Sequence, residues 1–275
     1  MGQTIACANQ KGGVGKTTTV VNLASYLALL GDRVLVIDLD PQGNGTSGLG
    51  VDRSRVERSI YDAVVDDVSL EQLVVQGSAE GVDLIPSAIA LAGAELELVG
   101  ALGRERRLRR LIEPINASYD VILIDCPPSL GLLTVNALTA ADAVLVPLQC
   151  EYYALEGLTQ LLATIDLVRD NLNPRLGLNG VVLTMYDART NLSADVAAEA
   201  RRHLDSSVYE TVIPRSVRLS EAPSHGLPIT RYAPESRGAT AYAEFAREFR
   251  ARTGREVARA YPGPAQAPAT ALVLS

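Results

Sequence analysis

Apolar residues in this chain fall into short, nearly uninterrupted runs that are separated by longer segments of helical spacing. The runs are rich in β-branched residues and do not alternate with polar ones, which is typical of strands covered on both faces in a parallel sheet. Seven strands are predicted, at 4–9, 33–40, 82–87, 119–128, 142–149, 178–187 and 208–214. Helical length and period predict helices at 16–30, 153–172, 191–206 and about 238–252. The predicted fold class is therefore α/β, with a doubly wound, mostly parallel sheet flanked by helices.

Strand and helix alternate from end to end without an internal Pro/Gly/Ser-rich linker, so one domain is predicted over residues 1–253. The polar, glycine-punctuated segment 41–81 is expected to form loops and short helices at the edge of the sheet. Residues 254–275 are rich in Pro and Ala, and we expect them to form a disordered C-terminal tail.

Composition narrows the class of protein further. The net charge of −7 over 275 residues argues against wholesale electrostatic coating of DNA or of an anionic membrane, although a local basic patch stays compatible with it. Three widely spaced cysteines and two histidines favour neither a disulfide framework nor a zinc site. Neither a signal peptide nor an apolar run of about 18 residues is visible, so we expect a cytoplasmic protein without a membrane span.

The stretch TIACANQKGGVGKTTTVVNLASYLALL reads as a strand, a glycine-rich turn and a helix. This is the context in which a phosphate-binding loop is expected, because glycines bring backbone N–H groups close to phosphate oxygens and the helix start attracts anions. Lys16 would pair with the β- and γ-phosphates and the Thr17 hydroxyl would bind Mg²⁺. The predicted nucleotide-binding residues of the loop are Gly12, Gly13, Val14, Gly15, Lys16, Thr17 and Thr18, with ATP and Mg²⁺ as cofactors. The alternative is a glycine-rich turn that binds no ligand.

The loop departs from the standard motif, because Gln10 stands where the first glycine belongs. With its KGGVGKT sequence it resembles the deviant Walker A ATPases, which include ParA/Soj partition proteins and MinD. The resemblance implies that the added lysine, Lys11, reaches across a dimer to the phosphates of the partner's nucleotide. A second lysine at this position also has a physical reason that does not depend on the resemblance. A phosphate tail enclosed between two protein surfaces loses the water around its outer oxygens, and a second cation would stabilise the charge on them. The ordinary alternative is a solvated loop lysine.

Carboxylates end two of the predicted strands, where ligands bind in such folds. Asp38 and Asp40 lie in VLVIDLDPQGN, and Asp125 follows four apolar residues in YDVILIDCPPS. The resemblance assigns Asp40 to the first switch, where it would position and activate the attacking water. Asp125 would hold Mg²⁺ directly or through its water. Asp38 is the lesser candidate, with either a structural role or an indirect contact with the Mg²⁺ site. The predicted catalytic residues are therefore Lys11, Lys16 and Asp40, and the predicted metal-site residues are Thr17, Asp40 and Asp125.

Longer stretches narrow the resemblance to the ParA/Soj branch, among them DLDPQGN, DCPPSLGLLTVNAL, EYYALEGL and IPRSVRLSEAPSHG. The similarity covers nearly all of residues 3–252. It implies a chromosome-partitioning ATPase, slow without its partner, that forms an ATP-dependent homodimer. Such a dimer binds double-stranded DNA nonspecifically on the nucleoid, and a ParB-type centromere-binding protein stimulates the hydrolysis that releases it.

The same resemblance places DNA-contacting arginines at Arg189 and Arg218, with Arg215 as a weaker candidate. Only a few arginines on one face are needed for nonspecific binding, so the acidic net charge is no obstacle. The ordinary alternative is surface arginines in solvated ion pairs. By resemblance Glu151 contacts nucleotide or partner, and Met185 and Pro214 lie near the adenine, although core packing would account for the last two equally well.

Three rival functions can be compared with the sequence. A MinD-like membrane-cycling ATPase would need a lipid-binding amphipathic helix, and 238–252 has apolar positions at helical spacing, but this pattern more often covers the sheet of its own domain. An iron–sulfur protein of the nitrogenase-reductase kind would need a second cysteine to accompany Cys126. A metabolic synthetase would need a motif for a second substrate, and none is evident.

Overall fold

The computed structural model describes residues 2–151 and 154–254. Its centre is a sheet of seven strands, all of them parallel to their neighbours. All seven predicted strands are present in the described part of the chain, with somewhat shorter bounds in most cases. They are β1 (Gln3–Cys7), β2 (Val34–Asp38), β3 (Asp83–Ile85), β4 (Val121–Asp125), β5 (Ala143–Gln149), β6 (Gly177–Tyr186) and β7 (Val208–Pro214).

Helices flank this sheet on both faces and include the four that the sequence pattern predicts. They are α1 (Lys16–Leu29), α2 (Asn44–Gly48), α3 (Ile60–Asp66), α4 (Leu91–Glu97), α5 (Arg107–Ile112), α6 (Leu132–Ala140), α7 (Ala154–Asn171), α8 (Asn191–Leu204), α9 (Val217–Glu221), α10 (Ile229–Tyr232) and α11 (Arg237–Arg252). Short 3₁₀ turns lie between them at Arg53–Arg55, Leu70–Gln72, Ala79–Gly81, Leu98–Gly100, Arg104–Arg106, Asn116–Ser118, Asp205–Ser207 and Ala222–His225.

The strand order is β3-β2-β4-β1-β5-β6-β7, so β1 lies in the middle between β4 and β5. Because all the strands run the same way, the loops that follow them meet at one edge of the sheet. Cys7, at the end of β1, is in register with Asp125 of β4, which is in register with Asp38 of β2. This register brings the ends of three predicted motifs together.

Apolar residues form one buried layer on each face of the sheet, which explains why the strands are apolar throughout. On one face α11 packs against α1 and β7. Its aromatic residues Tyr242, Phe245 and Phe249 are almost fully buried, and the ring of Phe245 meets Tyr209 edge-on at 4.8 Å. The helix therefore covers its own sheet, as its pattern predicts.

The segment 41–81 forms α2, α3 and short turns beside β2 and β3, in agreement with the expectation of loops and short helices at this edge. Among the described residues, no helix combines the length and apolar character that crossing a membrane would require. The predicted tail lies outside the described residues, apart from Gly254.

Candidate functional site

The glycine-rich loop follows β1 and is held by residues of β5 and β6, which lie on one side of that strand. Asn9 Nδ2 donates to the carbonyl of Pro147 in β5 at 2.7 Å, and the Thr184 hydroxyl of β6 donates to the carbonyl of Val14 at 2.8 Å. Gly13 and Gly15 have φ angles of 75° and 89°, in the left-handed region that glycine adopts at little cost. The loop is thus shaped by its own sequence and fastened by residues far along the chain.

Helix α1 begins directly after Gly15 with Lys16, and no side chain caps its first turn. Uncapped N–H groups at a helix start are suited to bind an anion such as phosphate. Lys16 is 6% exposed, and its Nζ donates to the carbonyl of Lys11 at 3.3 Å. The Lys16 side chain therefore folds back along the inside of the loop.

A cleft of about 280 Å³ lies in front of this loop. Its lining comprises Gly12, Gly13, Gly15, Lys16, Thr17, Thr18, Asp40, Gln42, Asn44, Pro128 and Met185. The structure thus brings Asp40 to the predicted phosphate loop although they are distant in sequence. A separate groove of about 810 Å³, between loops 47–53 and 223–227, has none of the glycine-rich loop in its lining.

A second cleft of about 360 Å³ adjoins the first and shares Gly15, Thr18 and Met185 with it. Pro214 lines this second cleft together with Leu219 and Tyr242. Met185 has a φ of 51°, which is unusual for a residue with a side chain and costs conformational energy. Met185 and Pro214 therefore lie where a flat, partly apolar group attached to the phosphates would fit, and their roles stay predictions.

Asp38 and Asp125 end neighbouring strands in register, and both are fully buried. The Asp38 carboxylate accepts hydrogen bonds from the backbone N–H and hydroxyl of Thr46, at 2.6 and 2.7 Å. Asp38 thereby holds the start of α2, and whether it also takes part in the Mg²⁺ site stays a prediction. Neither oxygen of Asp125 has a hydrogen bond of regular geometry within the described part of the chain.

Both carboxyl groups have raised pKa values. Burial raises the pKa of Asp38 to about 6, against the opposing effect of the bonds from Thr46. Burial raises the pKa of Asp125 well above its ordinary value, the negative charge of Asp38 raises it further, and the nearby Thr17 hydroxyl opposes the rise. A buried carboxylate without a partner is costly, and a bound cation would offset that cost.

The residues present fit a Mg²⁺ ion, which prefers a few carboxylate or hydroxyl oxygens together with phosphate oxygens and water. The buried carboxylate of Asp125 would supply such a ligand, and Thr17 lines the adjoining cleft. No group of three or more His, Cys, Asp or Glu side chains suited to a metal occurs among residues 2–151 and 154–254. A cation here would therefore depend on the phosphates of a nucleotide for part of its shell.

Asp40 is 7% exposed and lies on the turn between β2 and α2. Its carboxylate accepts a hydrogen bond from the backbone N–H of Gln42 at 2.9 Å, and its carbonyl accepts one from the Ser87 hydroxyl at 2.7 Å. These contacts hold the residue at the edge of the phosphate cleft.

Lys11 and Lys16 are the only two lysines in the chain, and the structure orients them differently. Lys11 Nζ lies 2.8 Å from a carboxylate oxygen of Glu151, and the two side chains are 40% and 47% exposed. Lys11 does not belong to the lining of either described cleft, whereas Lys16 does. Glu151 therefore contacts Lys11 in this structure, and its predicted contact with nucleotide or partner is untested.

Three candidate DNA-binding residues follow β6 and β7: Arg189 and Arg215 lie on loops and Arg218 lies in the first turn of α9. We call these three residues the arginine face. Tyr186 pairs with Pro214 across these strands, and the backbone N–H of Arg215 donates to the Tyr186 carbonyl at 3.0 Å. Arg189 is paired with Asp187 and Arg218 with Glu221; both arginines are exposed, whereas Asp187 is only 18% exposed. The contacts of Arg189 and Arg218 in this structure are thus those of the ordinary alternative, ion pairs at the surface. DNA binding by the arginine face stays a prediction.

The three cysteines do not resemble ligands of a shared iron–sulfur cluster. All are buried, and Cys7 and Cys126 belong to the apolar layers on opposite faces of the sheet. Burial raises the pKa of the Cys150 thiol to about 11 and that of Cys126 further. Thiols in such surroundings are inert, so this rival function finds no support.

Several residues of the site were not singled out in the sequence. Thr184 of β6 donates a hydrogen bond to the glycine-rich loop, Thr46 donates to the carboxylate of Asp38, and Ser87 donates to the carbonyl of Asp40. A Cβ on Gly45 would lie 3.1 Å from Asp38 Oδ2 and 3.3 Å from Asp125 Oδ2, so this glycine allows the first turn of α2 to pack against the two carboxylates. The glycines of QGNGTSG are a signal in the sequence that the backbone passes close to another group here. No pattern in the sequence indicates the contacts of Thr184, Thr46 and Ser87.

The central parallel strand, the glycine-rich loop at its end and the carboxylate on the adjoining strand define a P-loop nucleotide-binding protein. A family model described as an AAA domain matches residues 2–178. The sporulation initiation inhibitor protein Soj of Bacillus subtilis (strain 168) is 57% identical over 251 residues, which cover 91% of this chain and 99% of that protein. The chromosome partitioning protein ParA of Caulobacter vibrioides (strain NA1000 / CB15N) is 53% identical over 246 residues, covering 89% and 92%. The chain belongs to the ParA/Soj family of chromosome-partitioning ATPases.

Solved structures agree with the fold. The cobyrinic acid a,c-diamide synthase of Mycobacterium smegmatis, solved with an ATP analogue and magnesium, superposes with a TM-score of 0.81 and 41% identity, covering 93% of this chain and 98% of that one. The fold prediction and the family resemblance are thereby confirmed. The roles of individual residues remain predictions.

Asp125→Asn is expected to stabilise the protein when nucleotide and Mg²⁺ are absent, because it removes a carboxylate whose charged form is disfavoured by burial and by the charge of Asp38. Each kcal/mol gained would raise the melting temperature by about 2–4 °C. Wild-type stability should fall as pH rises from about 4 past 6, since the folded state holds protons on Asp38 and Asp125 more tightly than the unfolded state. This decline should be smaller in the variant, and differential scanning fluorimetry at several pH values measures both effects.

The same variant should lose the extra stabilisation that Mg²⁺ gives over ATP alone. Asp166→Asn, which removes an exposed carboxylate of α7, is the control and should melt like the wild type. A variant that melts below the wild type without ligand at pH 7.5, or that keeps the full Mg²⁺ effect, would contradict the assignment of Asp125.

Proposed function

We propose that this protein is an ATP-dependent DNA-partitioning ATPase. ATP binding closes a sandwich dimer that binds DNA without sequence preference, and a ParB-type centromere-binding protein stimulates the hydrolysis that releases it. Residues 1–253 form the ATPase unit in this proposal, and the protein associates with the nucleoid. Membership of a family whose relatives are named for chromosome partitioning supports the coarse function.

The cofactors are ATP and Mg²⁺. A structure 41% identical to this chain was solved with an ATP analogue and magnesium. In this chain the uncapped start of α1 and the inward Lys16 suit the phosphates, while Asp125 and Thr17 suit the cation. Bound there, the cation supplies charge stabilisation to the phosphate oxygens.

The observation that carries the proposal is the different position of the two lysines. Lys16 is buried along the loop, but Lys11 extends away from it to Glu151 at the exposed rim. A cation that does not line its own subunit's cleft contributes to phosphate chemistry only if another molecule brings its nucleotide to that rim. A second copy of this chain meets that requirement symmetrically.

Asp40 is proposed to position and activate the attacking water. It lines the phosphate cleft, and contacts with Gln42 and Ser87 hold its backbone and carboxylate. A carboxylate fixed in this way can accept a proton from water as the new bond to phosphorus forms. Lys16, and Lys11 from the partner, would stabilise the charge that develops on the phosphate oxygens.

The arginine face is the proposed DNA contact. Pairing of β6 with β7 keeps its two loops adjacent, and the side chains of Arg189 and Arg218 are 87% and 61% exposed. A dimer would present the face twice, so that ATP-dependent dimerisation raises the number of phosphate contacts and hence the affinity.

Two rival functions receive less support. A MinD-like membrane cycle would require an accessible apolar helix face, but the aromatic residues of α11 are buried against α1 and β7. The solved structure named as a synthase is 41% identical, whereas relatives named for chromosome partitioning reach 54% and 53%. Partitioning is therefore the function favoured.

Asp40→Ala is expected to retain ATP binding and to lower the hydrolysis rate by about 100-fold or more, since it removes the group that activates the water. ATP binding is measured by calorimetry and turnover by phosphate release. Asp52→Ala, which removes an exposed carboxylate 12 residues further on, is the control and should keep its turnover. Normal hydrolysis by the Asp40 variant would refute the assignment.

Lys11→Ala is expected to bind ATP as a monomer, because the loop keeps Lys16 but loses the cation meant for the partner's nucleotide. Analytical ultracentrifugation with and without ATP measures the dimer, and Glu151→Gln, which keeps Lys11, is the comparison. Since the chain has no other lysines, amine acylation followed by mass spectrometry gives an independent measurement. Lys11 should react in the wild-type monomer and become protected when ATP is added; an unprotected Lys11 in an ATP dimer would contradict the proposal.

Arg189→Glu combined with Arg218→Glu should leave ATP-dependent dimerisation intact and weaken DNA binding by about 100-fold or more, because each change replaces a phosphate contact with a repulsive charge. The matched control is Arg55→Glu with Arg169→Glu, which changes the net charge equally at two other exposed ion pairs. Gel shifts at moderate salt with random-sequence duplexes test the proposal as a whole. Retention of DNA by the first variant would rule out this face.

A further inference from the structure

Two acidic side chains of the protein itself, Asp187 and Glu221, bind to arginines of the arginine face. Arg189 makes three hydrogen bonds to Asp187, from its backbone N–H at 3.0 Å, from Nε at 2.9 Å and from Nη2 at 2.7 Å. Arg218 Nη1 donates to a Glu221 oxygen at 3.0 Å, and the Tyr232 hydroxyl donates to the same oxygen at 3.0 Å. Both guanidinium groups are therefore engaged by an acid of their own chain.

The pairing of β6 with β7 brings a third arginine, Arg215, close to one of these acids. Arg215 follows Pro214, its backbone bonds to Tyr186, and its charge therefore also acts on neighbouring Asp187. The Arg189 guanidinium holds the pKa of Asp187 below its usual range, and Tyr232 and Arg218 lower the pKa of Glu221. Both acids are thus ionised at neutral pH, and three arginines with two carboxylates leave the face a net charge of only about one per subunit.

We infer that Asp187 and Glu221 are built-in competitors of DNA phosphate, which occupy the DNA-binding arginines of the free protein and keep its affinity for DNA low. The inference rests on the proposed DNA-binding function of the arginine face. It assigns a role to two acidic residues that are not themselves expected to contact DNA favourably.

Carboxylate and phosphate present similar pairs of oxygens to a guanidinium, so each acid stands in for a phosphate when DNA is absent. Both guanidinium groups are exposed to solvent although Asp187 is only 18% exposed, and ion pairs at an accessible surface contribute little net free energy, so phosphate can displace the acids. After displacement each acid remains beside the DNA as a repulsive charge. An affinity limited in this way suits a protein that must leave DNA once its dimer opens.

Counterion release provides the measurable consequence. An arginine already neutralised by an acid gains little when it binds phosphate, whereas an unpaired arginine releases about 0.9 counterion per contact. Removing an acid should therefore strengthen DNA binding and also steepen its dependence on salt. A change that acted only through loop structure would not produce this combination.

The test uses Asp187→Asn, Glu221→Gln and the double variant in the full-length chain with an ATP analogue and Mg²⁺. Asn keeps an acceptor for the Arg189 backbone N–H, and Gln keeps one for the Tyr232 hydroxyl. Asp166→Asn, which changes the net charge by the same amount at the Arg169 ion pair of α7, is the matched control. Fluorescence anisotropy with a random-sequence duplex is measured from about 50 to 300 mM salt, a range in which phosphate contacts dominate the affinity.

Each single variant is expected to bind DNA about three- to tenfold more tightly at about 100 mM salt, and the plot of log K against log salt should steepen by up to about 0.9 per newly unpaired arginine. The control should match the wild type. Tighter binding by Asp166→Asn to the same degree would overturn the inference, since only net charge would then matter.

Weaker or unchanged DNA binding by Asp187→Asn and Glu221→Gln, with normal wild-type binding, would also overturn it, because the acids would then only position the arginines. A wild type that binds no DNA in any nucleotide state would instead refute the proposed function, and this inference with it. Melting curves check that the variants fold. Asp187→Ser and Glu221→Ala remove the same charges and replace any variant that does not.

Discussion

Two carboxylates buried side by side at the ends of neighbouring strands are the constraint on which this site depends. Asp38 and Asp125 are in register on β2 and β4, and the protein compensates their burial unequally. Thr46 provides two hydrogen bonds to Asp38, while Asp125 has none of regular geometry among the described residues. Thr46 therefore offsets the burial of Asp38 within the fold, whereas a cation bound at Asp125 would offset the burial of the second carboxylate and would link the stability of the protein to its ligand.

The two lysines likewise differ in their surroundings, one buried and one at the surface. Lys16 lies along the inside of the phosphate loop, whereas its companion Lys11 is held at the rim by Glu151. On the arginine face, exposed guanidinium groups are balanced by acids of the same chain. Buried charges interact strongly because water does not screen them, so they suit tight nucleotide binding, while exposed pairs exchange partners easily and suit contacts that must form and dissolve.

Much of the fold was predictable because its signals are local. Uninterrupted apolar runs such as VILID predict strands buried on both faces, and the glycines before Lys16 predict the turn into α1. The α11 aromatics also followed helical spacing, and the structure buries them as expected. Strand order was not predictable in this way, since nothing local states that β4 lies between β1 and β2.

By itself the sequence determined which segments form strands and helices, where the phosphate loop turns and which residues are candidates for chemistry, because these follow from side-chain spacing and backbone preference. Only the tertiary structure decided which candidates meet. The register of β2 with β4 brought Asp38 beside Asp125, and the pairing of β6 with β7 brought Asp187 among the arginines. Such contacts join residues that are distant along the chain, so the spacing of side chains in the sequence does not specify them. The group that lies next to a charged side chain determines whether that charge stabilises the fold or remains able to bind a ligand.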